Sequence, residues 1–178
     1  MNSQQLIEYL IAEGQSWVLE QRELHRPAVI PLDALVREKF NPFFEDAVLN
    51  EGRFKGVPAI QNPSFYAELE AMGQSIPLDF TAMHGITFID TVLLSQRFGQ
   101  TSFPGLLFHE LVHVVQYRIL GVAEFVTRYV RGWAENGYRY EAIPLERDAY
   151  ELQHRYEANP NQPFSVREEV TQRTSRQT

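Results

Sequence analysis

Apolar side chains return at helical spacing from the first residues of the chain. Leu6, Ile7, Leu10, Ile11, Gly14, Trp17 and Val18 fall on one stripe, which predicts an amphipathic helix over residues 3–22 with one buried face. Pro27 and Pro31 break that pattern. Pro31 suits a helix start, and Leu32, Leu35, Val36 and Phe40 predict a short second helix that stops before Pro42. Phe43, Phe44, Val48 and Leu49 follow as candidate core. From Arg53 to Ile60 the pattern loosens into an extended segment. Asn62-Pro63 then reads as an N-cap and first helical position, with Tyr66, Leu69 and Met72 on the buried side and Gly73 closing the helix. Between Leu78 and Leu94 the period changes. Ile86, Phe88, Asp90, Val92 and Leu94 alternate with Thr87, Ile89, Thr91 and Leu93, in a run dense in β-branched and aromatic residues. That predicts a strand, or a hairpin if the chain turns near Asp90.

The second half is helical. Pro104 opens a segment that Gly121 ends, and between them apolar side chains point in nearly every direction, with Arg118 the clear solvent marker. A helix apolar all round is a buried one. Val122, Phe125, Val126, Tyr129, Val130 and Trp133 predict the next amphipathic helix. Asn136-Gly137 begins a loop carrying Tyr138 and Tyr140, and Pro144 starts a helix that runs to about Ala158 before Pro160 and Pro163. The expected fold is α+β, a small twisted sheet packed on helices around a buried central helix. One domain is expected over residues 1–164, with residues 1–60 as a helical support region and 165–178 as a polar, flexible tail.

Composition narrows the function classes. The 178 residues are 44% hydrophobic and 22% charged, with a net charge of -7, so nucleic acid is not an expected partner. There is no apolar run of membrane-spanning length and no basic leader before the first helix, so a cytoplasmic protein without membrane contact is expected. Cysteine is absent, which removes disulfides, thiolate-bound metal and cysteine nucleophiles together. A metal site must draw on carboxylates and the five histidines.

The buried helix contains the one strong chemical motif, His109-Glu110-Leu111-Val112-His113. On a helix, His109 and His113 share one face a turn apart and can hold a single zinc ion, and Glu110 lies about 100° round, beside the ion, where it can take a proton from water. A catalytic zinc needs a third protein ligand and an open position. Glu146 is the best candidate. With Glu146 at zero on a wheel, Leu145, Ala149, Leu152 and Tyr156 gather about 90° to one side, so Glu146 sits at the edge of a buried face. Glu141 is the fallback; His25, His84 and His154 read as surface or structural. A ferritin-like di-iron reading would pair Glu110-x-x-His113 with Glu151-x-x-His154. It leaves His109 unused and needs Glu151 and His154 inward, at about 140° and 80° on the same wheel, away from the apolar face.

The motif with Glu146-x-x-Ala149 downstream resembles the gluzincin type of zinc metallopeptidase, and is similar to small bacterial zincin-like domains in which a segment like Gly85-Ile86-Thr87-Phe88-Ile89-Asp90-Thr91-Val92 precedes the metal helix. The resemblance spans roughly Phe80 to Tyr156. It implies His109, His113 and Glu146 as ligands, Glu110 as general base, and a strand near Ile86–Leu94 as the edge along which an extended peptide lies. Where the family carries an acidic residue or Asn four positions after the Glu ligand, this chain has Tyr150, so Tyr150 or Asp148 is expected to orient a ligand imidazole. Tyr138, Tyr140 and Tyr150 are the oxyanion-stabilising candidates, together with His154 and Tyr156. The expected activity is peptide-bond hydrolysis by a zinc-held water that Glu110 activates. The alternative is a zinc-binding but non-catalytic or narrowly specific interaction module of the same fold.

Overall fold

A computed structural model describes residues 1–97 and 103–176. The described residues form seven α-helices and one four-stranded mixed sheet, an α+β arrangement. The elements are α1 (Ser3–His25), β1 (Ile30–Pro31), α2 (Ala34–Phe40), α3 (Asp46–Glu51), β2 (Arg53–Val57), α4 (Phe65–Ala71), β3 (Gly85–Phe88), β4 (Thr91–Ser95), α5 (Phe103–Glu135), α6 (Pro144–Ala158) and α7 (Val166–Arg176). Among these elements, no helix is long and apolar enough to cross a membrane.

The strand order is β1-β2-β4-β3, so β3 is an outer strand. β2 and β4 run parallel, while β3 and β4 form the antiparallel hairpin, with Thr87 opposite Val92 and Phe88 opposite Thr91. Every residue of β4 is buried. Because successive side chains of a strand point to opposite faces, Val92 and Leu94 enter one apolar cluster and Leu93 the other. The first cluster gathers α2, α3, the first half of α5, α6 and α7; the second gathers α1, α4, parts of the hairpin and mostly the far half of α5.

α5 breaks at Gly121, whose φ of 73° and ψ of 167° lie outside helical space. Only glycine takes that conformation at little cost, and it separates α5 into the two helices expected on either side of Gly121. Gly132 lets the second arm approach α6 closely; a Cβ there would lie 2.6 Å from Pro144 Cδ.

Five expectations are corrected. α4 begins at Phe65 after Ser64, so Asn62 does not cap it and instead accepts from the Phe80 N–H. α2 begins after Asp33, whose carboxylate accepts from the Val36 N–H, because a side-chain cap satisfies a free helix-end donor and Pro31 instead pairs in β1. Leu35 is 79% exposed, its face of a seven-residue helix having nothing to cover it. Met72 follows the end of α4 and is 52% exposed. The tail expected to be flexible is α7: Val166, Val170 and Thr174 form a buried stripe at helical spacing, and Arg173 reaches Asp148 and Glu151 of α6. Residues 177–178 lie outside the described residues.

Candidate metal centre

The first arm of α5 carries His109, Glu110 and His113 into the interior, and the first turn of α6 brings Glu146 to meet them. All four residues are no more than 5% exposed. His109 Nε2 and His113 Nε2 are 3.0 Å apart, and Glu146 Oε2 lies 3.2 Å from the first and 3.4 Å from the second. A tetrahedral ion with bonds of about 2.0–2.1 Å keeps its ligand atoms roughly 3.3–3.4 Å apart. The three atoms therefore have the spacing of one face of such a site, and among the described residues they form the group able to hold a metal ion.

The donor chemistry fits a cation as well. Gln116 Nε2 donates to the Leu145 carbonyl at 3.0 Å, which turns its Oε1 toward His113 Nδ1 at 2.7 Å. With Nδ1 as the donor, neutral His113 presents a lone pair at Nε2. Two Nε2 atoms and a carboxylate oxygen thus converge in a buried space, an arrangement that is costly without a positive charge among them. His109 Nδ1 is buried with no hydrogen-bond partner.

The surroundings set the charge states. Burial pushes the Glu146 carboxyl up, but the His113 and His109 imidazoles outweigh it and hold the group well below the usual carboxylate range. Burial draws the His113 imidazole down, while Glu146, Glu110 and the Gln116 hydrogen bond lift it to about 9. Glu110 is raised by burial, with the imidazoles and Thr87 opposing. Its Oε2 accepts a 2.7 Å bond from Thr87 Oγ1 of β3. Tyr129 and Tyr140 stay protonated, raised first by burial and then by Glu146. Their hydroxyls donate to Glu146 Oε1 and Oε2, each at 2.8 Å.

The expected site residues divide accordingly. His109, His113 and Glu146 meet, with Glu110 beside them and Tyr140 on the Glu146 carboxylate. Tyr150, expected to orient a ligand imidazole, packs its ring on His109 with centroids 4.4 Å apart, while His109 Nδ1 has no hydrogen-bond partner among the described residues. Asp148 accepts from Arg173 at 3.4 Å. Tyr138 is 47% exposed, edge-on to Trp133, because Gly137 and Tyr138 both turn through positive φ at the end of α5. Glu141, His84, Glu151 and His154 are exposed, so neither the fallback ligand nor a second di-iron pair is buried. Asp90 is the hairpin's turn residue and is bound to Arg22.

Three residues of the site escaped the sequence reading. Thr87 and Tyr129 read as strand and helix filler, since nothing in their spacing marks a contact across elements. Gln116 carried a signal, a fully buried amide three residues after His113 in an otherwise apolar run. Comparisons with protein-family models, curated proteins and solved structures find no match.

Proposed function

We propose that the chain is a zinc-dependent metallopeptidase with a zincin-like fold, in which His109, His113 and Glu146 hold the ion. The observation that carries this reading is the convergence of three buried ligand atoms at 3.0–3.4 Å with a fourth buried group, Glu110, beside them and outside the set. Two imidazoles and one carboxylate suit zinc in a hydrolytic site that keeps a position open. Bound there, zinc would supply Lewis-acid chemistry, polarising a carbonyl and acidifying water. The outer strand β3, which borders Glu110 through Thr87, is the edge along which an extended peptide would pair.

The chain's own residues then have separate roles. Glu110 takes the proton of the attacking water and returns it to the leaving amine; its burial raises its affinity for that proton. Thr87 fixes one carboxylate oxygen of Glu110 and leaves the other for the water. Tyr129 and Tyr140 hold Glu146 in place from both oxygens, and Gln116 holds the His113 tautomer.

Glu110→Gln removes the base without touching a ligand. It should retain about one zinc per chain, while cleavage of a peptide library falls by roughly a hundredfold or more. Metal analysis of protein purified without added metal, beside chelator-inhibited cleavage, makes the test. Absence of zinc in the parent, or undiminished cleavage by Glu110→Gln, would overturn the reading. Zinc without any cleavage would instead leave a metal-binding interaction module.

A further inference from the structure

The side chains expected to steady a charged carbonyl oxygen are engaged elsewhere. Tyr140 donates to Glu146, as Tyr129 does. Tyr138 and His154 are exposed, Tyr150 lies on His109, and Tyr156 stacks on Phe108 in the first apolar cluster. Tyr117 is different. A cavity of about 100 Å³ adjoins the triad, and Tyr117 lines it together with Glu110, His113 and Glu146. One water needs roughly 10–15 Å³, so a ligand group has room beside these side chains.

The surroundings of Tyr117 aim its hydroxyl into that space. The oxygen makes no hydrogen bond among the described residues, yet it is not sealed away as His109 Nδ1 and Trp133 Nε1 are. Tyr117 is only 5% exposed, so what its oxygen faces is the cavity. Its place on α5 agrees. Tyr117 stands one turn after His113, and helical side chains lean toward the N-terminus, so the ring folds back over the turn that carries His113. Phe125 stacks on that ring with centroids 3.7 Å apart and holds it there. Burial first, then the charges of Glu146 and Glu110, raise the hydroxyl's pKa and keep it a donor. Tyr66, the remaining tyrosine of the wall, has Asp79 and not the triad for its charged neighbour.

We propose that Tyr117 is a catalytic residue whose hydroxyl donates to the substrate's carbonyl oxygen as charge gathers there. The role rests on the hydrolase reading and deepens it. Water adds to the carbonyl carbon while its proton passes to Glu110, and the π pair of the carbonyl moves onto the oxygen that Tyr117 faces. When that pair returns, the carbon–nitrogen bond breaks and Glu110 gives its proton to the amine. Tyr117 keeps its own proton throughout. A donor of this kind is worth roughly a hundredfold to a thousandfold in rate.

Tyr117→Phe removes the oxygen and leaves the ring on Phe125. The hydroxyl bonds nothing in the fold, so its loss should leave Tm and zinc content at the parent's values. In the same protein kcat should fall roughly a hundredfold or more, with KM nearly unchanged. Binding supplies a readout apart from turnover. Zinc-loaded protein is titrated in a calorimeter with a peptide phosphonamidate carrying leucine on either side of phosphorus, whose tetrahedral oxygens stand in for the charged carbonyl. Its affinity should fall by roughly tenfold or more in Tyr117→Phe. The matching uncleaved peptide should bind Glu110→Gln and Glu110→Gln/Tyr117→Phe alike, because the planar carbonyl carries little charge. Tyr140→Phe gives the contrast: it frees Glu146 and should weaken zinc by roughly tenfold or more.

Unchanged kcat or unchanged phosphonamidate affinity in Tyr117→Phe would overturn the role and leave the hydrolase reading standing. A lowered Tm, lost zinc or failure to fold would make the hydroxyl structural and overturn the role as well. Parent protein that binds the phosphonamidate through Tyr117 but cleaves no peptide would overturn hydrolysis and keep the donor. Zinc-loaded parent that binds no phosphonamidate would overturn both.

Discussion

Gly85 opens β3 with the Glu110 carboxylate directly over it: a Cβ built there would lie 2.8 Å from Glu110 Cδ and closer still to Oε1. Glu110 is held on its other side by Thr87. Gly85→Ala therefore has to push the Glu110 carboxylate away while His109, His113 and Glu146 stay where they are. A displacement of about 1 Å in a catalytic group costs on the order of a hundredfold in rate. We expect Gly85→Ala to lose that much turnover with unchanged zinc content, read by kcat beside metal analysis; full activity would show that Glu110 does not work from this position. The meeting of His109, His113 and Glu146 was legible in the sequence because helical geometry alone aligns i with i+4, and the wheel of α6 set Glu146 at a buried edge. Glycine's service to Glu110 was not legible, since Gly85 in a strand pattern says only that something approaches. Tyr129 was hidden for a related reason. It lies on the apolar stripe of the second α5 arm, where a tyrosine is indistinguishable from packing until α6 is docked.

The β3–β4 hairpin shows what pairing of elements adds. Its two-residue turn puts Ile89 at φ 64°, a left-handed conformation that a β-branched side chain adopts only when its surroundings impose it. Asp90 beside it receives both Arg22 Nε and Arg22 Nη2 from α1 at 2.7 Å, which ties the turn to the end of the long N-terminal helix. Both side chains are less than a third exposed, at 22% and 28%. Between the worth of a surface pair and that of a buried charge-assisted bond, Asp90→Asn should cost about 1–2 kcal/mol. Burial raises the Asp90 carboxyl, and Arg22's hydrogen bonds and charge more than offset it, so the folded pKa is depressed. That contribution is present above the unfolded-state value of about 3.9 and is lost as pH falls through the folded value. Urea unfolding of parent and Asp90→Asn should therefore differ near neutral pH and converge in acid; a gap that does not narrow as pH falls would assign the effect to something other than ionisation. The alternation of residues 86–94 marked extended structure and left strand or hairpin open, and the partner strand β2 and the clamp Arg22 come from sequence positions whose local pattern is silent about distance. α7 was missed because its polar composition outweighs a narrow stripe of Val166, Val170 and Thr174.

At the scale of the molecule, the triad sits where two apolar clusters meet on α5, with Leu111, Val112 and Val115 in one and Tyr117 and Phe125 in the other. Neither cluster can absorb the charges between them. Glu110, Glu146 and two imidazoles are buried together, and a protein core stabilises such a group only when its charges are mutually satisfied. The proton that Glu146 and Glu110 help His113 to hold is one way to do so, and a divalent cation is a stronger one. An ion that binds the folded chain and not the unfolded one adds about 2.7 kcal/mol at a hundred times its Kd and about 4.1 at a thousand times. In a domain of this size each kcal/mol moves the midpoint by roughly 2–4 °C. Chelation of zinc-loaded protein should thus lower Tm by roughly 5–15 °C, and re-addition should restore it. His109→Ala gives the internal control. It loses a ligand and also relieves a buried imidazole whose Nδ1 has no partner, so its Tm should fall less than that of a typical core truncation and should not respond to chelator. A parent protein whose Tm is indifferent to chelator would mean that protons alone hold the junction together, and the two clusters would then meet over a structural hydrogen-bond network and not over a metal.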